Sequence, residues 1–231
     1  MSPVTFKKIL VGFAFSPNLK ANIFEALRMA SYFGGELVFV HVGHKTYEKE
    51  SRFKDIVASS PVQSEKTSIH WKVGNAVSAL LEASVQFKVD LILLGALKRE
   101  NVVKFYLGSI ARKITRQAKC SVLLLIKPSV ERHPCQHIVV NGFDSPQTKD
   151  TIGAAFVVAK ALGAKKISLV EEISRSKVAI SVDDDRSLRR ATLRKERLRR
   201  QEQTRVKDVV RNLPDTLTNN VNWTTQSIFG R

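Results

Sequence analysis

Gly95 and the pair Gly108–Ser109 are the residues whose types and spacing best fit a chemical role, the binding of a phosphate. Gly95 follows the apolar strand Leu91–Leu94, and Gly108–Ser109 precedes a predicted helix. Backbone N–H groups at a helix N-terminus are unpaired, and the helix dipole favours an anion there. The alternative is that both glycines only form the turn and the cap that the fold needs.

The sequence contains no established catalytic pattern outside this loop. The HExxH, GxSxG and CxxC spacings are absent. His41 is expected to be a packed strand residue, and His44 a weak candidate contact at the mouth of a cleft. The carboxylates Asp183–Asp185 are expected to stabilise a helix N-terminus through its dipole, a metal site being the alternative. These patterns favour a protein without an enzymatic reaction.

Short apolar strands alternate with amphipathic helices through the first half of the chain. Ser16–Pro17 is expected to cap the first helix, Gly34 to end it, and Asn75 to cap the third. The predicted strands are Lys8–Val11, Glu36–Val42, Thr67–Val73, Leu91–Leu94 and Val122–Ile126. Repeated strand–helix alternation requires parallel pairing, with right-handed crossovers that place helices on both faces. The sequence therefore predicts an α/β domain with a five-stranded parallel sheet over residues 1–128.

The chain repeats its opening at a shift of 129 residues. Residues 9–34 fall on residues 138–163, and nine of these 26 positions are identical. The identities include the Ser-Pro pair, apolar residues of the helix and its final glycine. A match of this length predicts the duplication of a whole domain.

The second copy is predicted to be incomplete. A linker is expected over 129–136 and the second domain over 137–231, with a basic helical insertion at about 183–213. Trp223 is expected to lie roughly where Trp71 lies in the first copy. No counterpart of the fourth and fifth strands follows it in the sequence.

Close to half of the net charge of +17 lies in one segment, Arg186–Arg211. This segment has eleven Lys/Arg and three Asp/Glu, a net charge of +8. Such a balance invites nucleic acid, an anionic lipid surface or an acidic protein as partner. The segment has no aromatic residue to stack on a base, so sequence-specific RNA recognition is not expected. A solvated helix or a partly disordered loop is the alternative interpretation.

Cysteine usage and hydropathy indicate a cytoplasmic protein without a transmembrane segment. No apolar run approaches 18 residues, and the N-terminus lacks a signal-peptide pattern. Two cysteines, Cys120 and Cys135, are too few for a disulfide framework or a zinc site.

These motifs resemble the universal stress protein (UspA) family. The resemblance is carried by the opening KILVGFAFSPN, by the His-Val that closes the second strand, and by the loop after the fourth strand. Nucleotide-binding members carry G-x-x-G-(nine residues)-G-(S/T) in that loop, and the same spacing joins Gly95, Lys98 and Gly108–Ser109. The resemblance implies an adenine nucleotide alpha hydrolase-like, Rossmann-like fold and ATP as candidate ligand. The implied cleft residues are Phe13, Ala14, Val42, Gly95, Lys98, Gly108 and Ser109.

Two positions depart from the family pattern. Lys98 replaces the second glycine of the loop, and its side chain either contacts the phosphate or fills the groove. Ala14 replaces the aspartate that helps to hold the nucleotide in ATP-binding members, and Phe15, which follows it, is expected to narrow the cleft. The resemblance thus implies a regulatory or interaction module of the stress response with a degenerate nucleotide site. An ATP-binding switch that uses Gly95 and Gly108–Ser109 is the alternative, and slow ATP hydrolysis is a third hypothesis.

The resemblance also implies association between chains. In family members the fifth strand, here Val122–Ile126, lies at the edge of the sheet and pairs with a second subunit or a second copy. An exposed apolar edge strand invites such pairing. A homodimer through this strand is therefore expected.

Overall fold

The computed structural model describes residues 5–64, 66–95, 108–173 and 184–229, so Lys98 lies outside the described residues. Tertiary contacts divide the chain into two compact units: the first unit, Thr5–His133, and the second unit, which begins at Pro134. Each unit has its own parallel β-sheet with helices. The α/β class predicted from the alternating pattern is confirmed.

The first unit has a five-stranded parallel sheet with the strand order β3-β2-β1-β4-β5. Its strands are β1 Lys8–Phe13, β2 Glu36–Val42, β3 Thr67–Lys72, β4 Leu91–Gly95 and β5 Ser121–Leu125. Its helices are α1 Leu19–Phe33, α2 Tyr47–Ala58, α3 Ala76–Gln86 and α4 Ser109–Gln117. The predicted five-stranded parallel sheet is therefore confirmed, with β5 at one edge.

Both faces of this sheet are buried, because its inner strands are apolar at successive positions. On one face Leu10 and Ile92 pack against Ile114 of α4, in a cluster that also holds residues of α3. On the other face Phe39 contacts Phe53 of α2, with ring centroids 5.0 Å apart. Each fully buried side chain of this size stabilises the fold by about 1.5–3 kcal/mol.

Two of the three predicted helix-end signals are confirmed, and one is wrong. Gly34 ends α1 with a φ of 59°, and the Asn75 side chain accepts hydrogen bonds from the N–H groups of the first turn of α3. Helix α1 begins at Leu19, not at Pro17, with Asn18 in the capping position. The Ser16 carbonyl accepts a bond from Leu19 N at 3.1 Å, so the Ser-Pro pair forms the turn that leads into the helix.

A carboxylate joins the beginnings of β1 and β4. Asp90 Oδ2 accepts hydrogen bonds from Lys7 N and Lys8 N, both at 2.9 Å. These bonds link segments that are 83 and 82 residues apart in sequence. They fix the relative position of the two strands whose opposite ends form the candidate site.

The second unit has a three-stranded parallel sheet with the order β6-β7-β8. Its strands are β6 His137–Asn141, β7 Lys166–Ile173 and β8 Asn222–Phe229. Its helices are α5 Thr148–Leu162, α6 Asp185–Arg211 and α7 Asp215–Thr218. Ile152 and Phe156 of α5 and Val206 and Val210 of α6 pack against Ile167 of β7 in one core.

Strand register corrects the expected equivalence of the two tryptophans. Trp71 lies opposite His41 in the first unit, whereas Trp223 lies opposite Ile167 in the second. In the two sheets Ile167 corresponds to Leu37, so Trp223 corresponds to Thr67. The prediction was wrong because the insertion before β8 removes the sequence spacing on which it relied.

Candidate functional site

A cleft of about 300 Å³ opens in the first unit where the carboxyl ends of β1 and β4 meet. From β1 the chain adds β2 and β3 on one side of the sheet, and then β4 and β5 on the other side. Open parallel sheets bind ligands at such a topological switch point, here between β1 and β4. Six predicted residues line this cleft: Phe13, Ala14, Val42, Gly95, Gly108 and Ser109. The seventh, Lys98, lies outside the described residues. Their role in binding a nucleotide stays a prediction.

Helix α4 presents its N-terminus to the cleft. Gly108 occupies the capping position, and as a glycine it has no side chain to accept a hydrogen bond from the first turn. The first turn contains no acidic residue, so the partial positive charge of the helix end is not offset there. Ser109 and Ile110 therefore bring backbone N–H groups suited to an anion to the wall of the cleft.

Asn22 of α1 contributes a polar group to the cleft that the sequence interpretation missed. Its Oδ1 is buried and has no hydrogen-bond partner among the described residues. A Cβ atom at Gly95 would lie 2.6 Å from Asn22 Nδ2 and 2.7 Å from Oδ1, so a larger residue there would displace this amide. The signal in the sequence that could have indicated it is the position of this asparagine next to Ile23, which belongs to the buried side of the helix.

The residues after β1 leave the cleft open. Ala14 lines it and is exposed, so the position carries no carboxylate that could hold a ligand or a metal. Phe15 is not among the described lining residues. Its ring stacks on Trp71 with centroids 6.1 Å apart and meets His41 edge-on at 5.0 Å. The expected narrowing of the cleft by Phe15 is therefore not observed.

His41 is a packed strand residue, as expected. Its side chain is 8% exposed and its ring lies 5.3 Å from that of Phe13. Nδ1 lies 3.1 Å from the Phe13 carbonyl oxygen, which assigns the proton to Nδ1 as donor. His41 thus holds the end of β1 against β2, while His44 is exposed and is not among the described residues that line the cleft.

In the second unit an arginine binds the end of β6, which corresponds to the end of β1 in the first unit. The Gly142 carbonyl, which corresponds to that of Phe13, accepts a hydrogen bond from Arg205 Nη2 at 2.6 Å. Arg205 Nε also lies 2.9 Å from Glu202 Oε2 and 3.8 Å from Asp144 Oδ1. Helix α6 therefore supplies a polar network where the first unit has an aromatic cluster.

Glu171 is the buried acid of this network. It occupies the register position of His41 and is 1% exposed. Its Oε2 accepts a bond from Ser227 Oγ at 2.7 Å, and its Oε1 has no partner among the described residues. Burial raises the pKa of the Glu171 carboxyl group, while the Ser227 bond and the Arg205 charge offset part of the rise.

Replacement of Glu171 by glutamine is expected to stabilise the second unit above pH 5. A carboxyl group whose pKa is higher in the folded state contributes stability below its unfolded pKa and loses it as pH rises through the folded value. Glutamine removes that loss, so thermal melting of the second unit should show a higher Tm for Glu171→Gln at pH 7–8, by about 4–8 °C for an effect of about 1 kcal/mol. The exposed neighbour in Glu172→Gln is the control and should leave the pH profile unchanged. Equal profiles for wild type and Glu171→Gln would contradict this assignment.

Within the four described ranges, no group of three or more His, Cys, Asp or Glu side chains could hold a metal ion. No helix in the described part of the chain is both long and apolar enough to cross a membrane.

Comparisons with known proteins agree with the fold. The model of the universal stress protein family matches residues 5–125. The crystal structure of a universal stress protein from Archaeoglobus fulgidus DSM 4304 is similar, with 14% sequence identity and a TM-score of 0.59. The match covers 99% of this chain and 79% of the Archaeoglobus chain. A functionally unknown protein from Pseudomonas aeruginosa PAO1 is 12% identical, covers 96% and 74%, and has a TM-score of 0.60.

A universal stress protein crystallised in complex with cAMP is similar over a shorter part of the chain. It is 18% identical over 53% of this chain and 99% of its own, with a TM-score of 0.41. At identities of 14% and 12%, the likeness to the two structures from Archaeoglobus fulgidus and Pseudomonas aeruginosa shows the fold alone. Comparison with curated proteins gives no match.

Proposed function

Because the chain belongs to the universal stress protein family, we propose that it is a non-enzymatic regulatory protein of the stress response whose first unit binds an adenine nucleotide. The open cleft between β1 and β4 is the observation that carries the proposal. Its volume of about 300 Å³ is at the lower end of the range for small-molecule sites, which favours a compact nucleotide such as AMP over a fully enclosed triphosphate.

Two parts of the cleft support a nucleotide as ligand. The uncapped N-terminus of α4 at Gly108–Ser109 suits a phosphate group. Asn22 places a buried oxygen without a partner in the cleft wall, and a buried polar group gains about 1–3 kcal/mol when a partner satisfies it. Apolar side chains such as Leu80, Leu94 and Val42 line the rest of the cleft and suit the flat faces of a base.

The same residues support binding without turnover. Phosphoryl transfer needs acidic groups that hold Mg²⁺. Among the described residues that line the cleft none is Asp or Glu, and Ala14 occupies the position of the family's aspartate. His41 already donates its Nδ1 proton to the Phe13 carbonyl and serves to hold the strand end. Slow ATP hydrolysis is therefore not part of the proposal.

Titration calorimetry of the full chain with AMP and with Mg-ATP tests the proposal. Wild type should release heat at millimolar nucleotide or below. Asn22→Leu, which keeps the size of the side chain but removes its amide, should weaken binding by about tenfold. The exposed Asn219→Leu, in the second unit, is the matched control and should bind as wild type does.

The outcomes separate two candidate functions. Binding that Asn22→Leu leaves unchanged would contradict the assignment to this cleft. No heat with either nucleotide would contradict nucleotide binding altogether. The second candidate, an interaction module with a degenerate nucleotide site, would then be preferred, since Ala14 and Lys98 depart from the family pattern.

Association and location complete the proposal. Strand β5 is an edge strand that pairs with β4 in the described structure, and the adjoining Ile126 is 49% exposed. Pairing with a second copy along Val122–Ile126 would cover this edge.

Cys120 and Cys135 are both free, which supports a reducing, cytoplasmic setting.

A further inference from the structure

Helix α6 is a long helix with one face firmly packed. Its 27 residues span about 40 Å at the usual rise per residue. Asp184 caps it by accepting a bond from Ser187 N at 2.7 Å, and this bond lowers the pKa of Asp184. Val206 and Val210 are buried in the core of the second unit. This packing determines which residues of α6 face the solvent.

In the first half of α6 most arginines lie three or four residues from another arginine. Residues with this spacing lie on one face of an α-helix. This surface, named the arginine face here, consists of Arg186, Arg189, Arg190, Arg194, Arg197 and Arg200. All six are exposed, and together they extend about 21 Å along the helix. Among the described residues they form one ion pair, Arg200 with Glu196 at 4.0 Å.

This arrangement has a cost for the isolated helix. Arg186, Arg190 and Arg194 are four residues apart, and like charges at that spacing destabilise a helix by a few tenths of a kcal/mol per pair. The buried contacts of α6 come from other residues, such as Ala191, Val206 and Val210. The fold does not use the arginine face for packing, so a ligand outside the unit is the better explanation for it.

We propose that the arginine face binds the phosphate backbone of double-stranded nucleic acid. The guanidinium group is a planar fork that donates two hydrogen bonds to one phosphate, and arginine accounts for nine of the eleven cations of α6. A row of charges held at the regular rise of an α-helix suits the regularly spaced phosphates of a duplex. The helix has no aromatic residue on which the bases of a single strand could stack.

A membrane surface fits this helix less well. Helices that lie on membranes bury an apolar face in the lipid. The apolar residues of α6 are mostly in the core of its own unit, and the exposed apolar side chains are Leu188 and Leu193, at 53% and 65% exposure. An acidic protein surface fits less well because protein interfaces depend on buried aromatic and aliphatic anchors at their centre.

Fluorescence anisotropy of the full chain with a labelled RNA duplex of about 20 base pairs tests the inference. Binding should weaken as salt rises from about 50 to 200 mM, because phosphate contacts release counterions. The variant Arg190→Gln/Arg194→Gln/Arg197→Gln should bind at least about tenfold more weakly. Its plot of log affinity against log salt should be shallower by about three. Glutamine has a helix propensity similar to that of arginine, so α6 should persist.

The matched control removes the same charge elsewhere in the second unit. Lys149→Gln/Lys165→Gln/Lys166→Gln neutralises three exposed lysines outside α6 and should change the affinity by less than about twofold. Equal losses in both triple variants would overturn the inference, since net charge alone would then explain binding. It would also be overturned by absence of binding at 50 mM salt, or by tighter binding to a single strand, to phosphatidylserine vesicles or to polyglutamate than to the duplex.

Discussion

Replacement of Phe39 by alanine is expected to lower the free energy of unfolding of the first unit by about 3–5 kcal/mol. Phe39 lies in the middle of β2 and has no exposed surface. Its ring meets the ring of Phe13 at 6.0 Å and that of Phe53 at 5.0 Å, both edge-to-face. The truncation therefore removes a large buried side chain, leaves a cavity and breaks two aromatic contacts.

Urea unfolding monitored by tryptophan fluorescence measures this loss. The chain has two tryptophans, Trp71 in the first unit and Trp223 in the second, so a Trp223→Phe background reports the first unit alone. Tyr47→Ala in that background is the matched control, because Tyr47 is 85% exposed and should change the free energy by less than about 0.5 kcal/mol. A loss below 1 kcal/mol for Phe39→Ala would contradict the position of Phe39 in the core.

Replacement of Gly35 by alanine is expected to destabilise the first unit by about 2–3 kcal/mol, a large effect for one methyl group. A Cβ atom at this position would lie 2.7 Å from the Phe6 carbonyl oxygen and 3.1 Å from that of Lys7. Both obstacles are backbone atoms that cannot rotate away. The Lys7 carbonyl also accepts the hydrogen bond from Glu36 N at 2.8 Å, so relief of the clash would disturb the beginning of the β1–β2 pairing.

Replacement of Gly153 by alanine is expected to have the opposite effect, an increase in the stability of the second unit. Gly153 lies inside α5, and among the described residues a Cβ atom there would meet only Leu213 Cδ2 at 3.7 Å, an ordinary contact. Alanine in a helix interior is more stable than glycine by about 0.5–1 kcal/mol. Urea unfolding followed by Trp71 for Gly35→Ala and by Trp223 for Gly153→Ala, each in a single-tryptophan background, should give shifts in opposite directions. Two shifts of the same sign would contradict the local packing.

The sheet of the first unit could be predicted from the sequence because its strands are buried on both faces. Runs such as Leu91–Leu94 and Glu36–Val42 are apolar at nearly every position, a pattern with few alternatives when glycines and helices separate them. Helix ends were harder to predict. Ser16–Pro17 satisfies the capping rules, yet the turn bond from Leu19 N to the Ser16 carbonyl moves the start of α1 by two residues.

Long-range contacts in the second unit could not be predicted. The Arg205–Gly142 bond joins residues 63 apart, and it depends on how α6 packs rather than on any local pattern. For the same reason the sequence spacing matched Trp223 to Trp71, four positions away from its register equivalent, Thr67. Hydrophobic periodicity predicts which face of an element is buried, but it does not determine which polar side chain reaches a distant carbonyl.

The sequence predicted most residues that line the candidate site, but it did not predict Asn22. Ala14, Val42 and Gly95 share a cleft because the carboxyl ends of parallel strands meet at one edge of a sheet. Asn22 was missed because one polar residue beside an apolar stripe usually belongs to the exposed side of its helix. Its contact with Gly95 depends on the distance between α1 and β4, which only the three-dimensional packing determines.

The order in which a ribosome releases the strands differs from their order in the first sheet. Strand β1 emerges first and lies in the centre, but its neighbour β4 and the tie through Asp90 come 83 residues later. The strands of the second unit pair in the order in which they are synthesised. Contacts between distant segments form slowly, because the entropy of closing the loop must be overcome first. A nascent first unit therefore holds β1 and β2 without a complete core until β4 is released, whereas the second unit can add its strands one at a time.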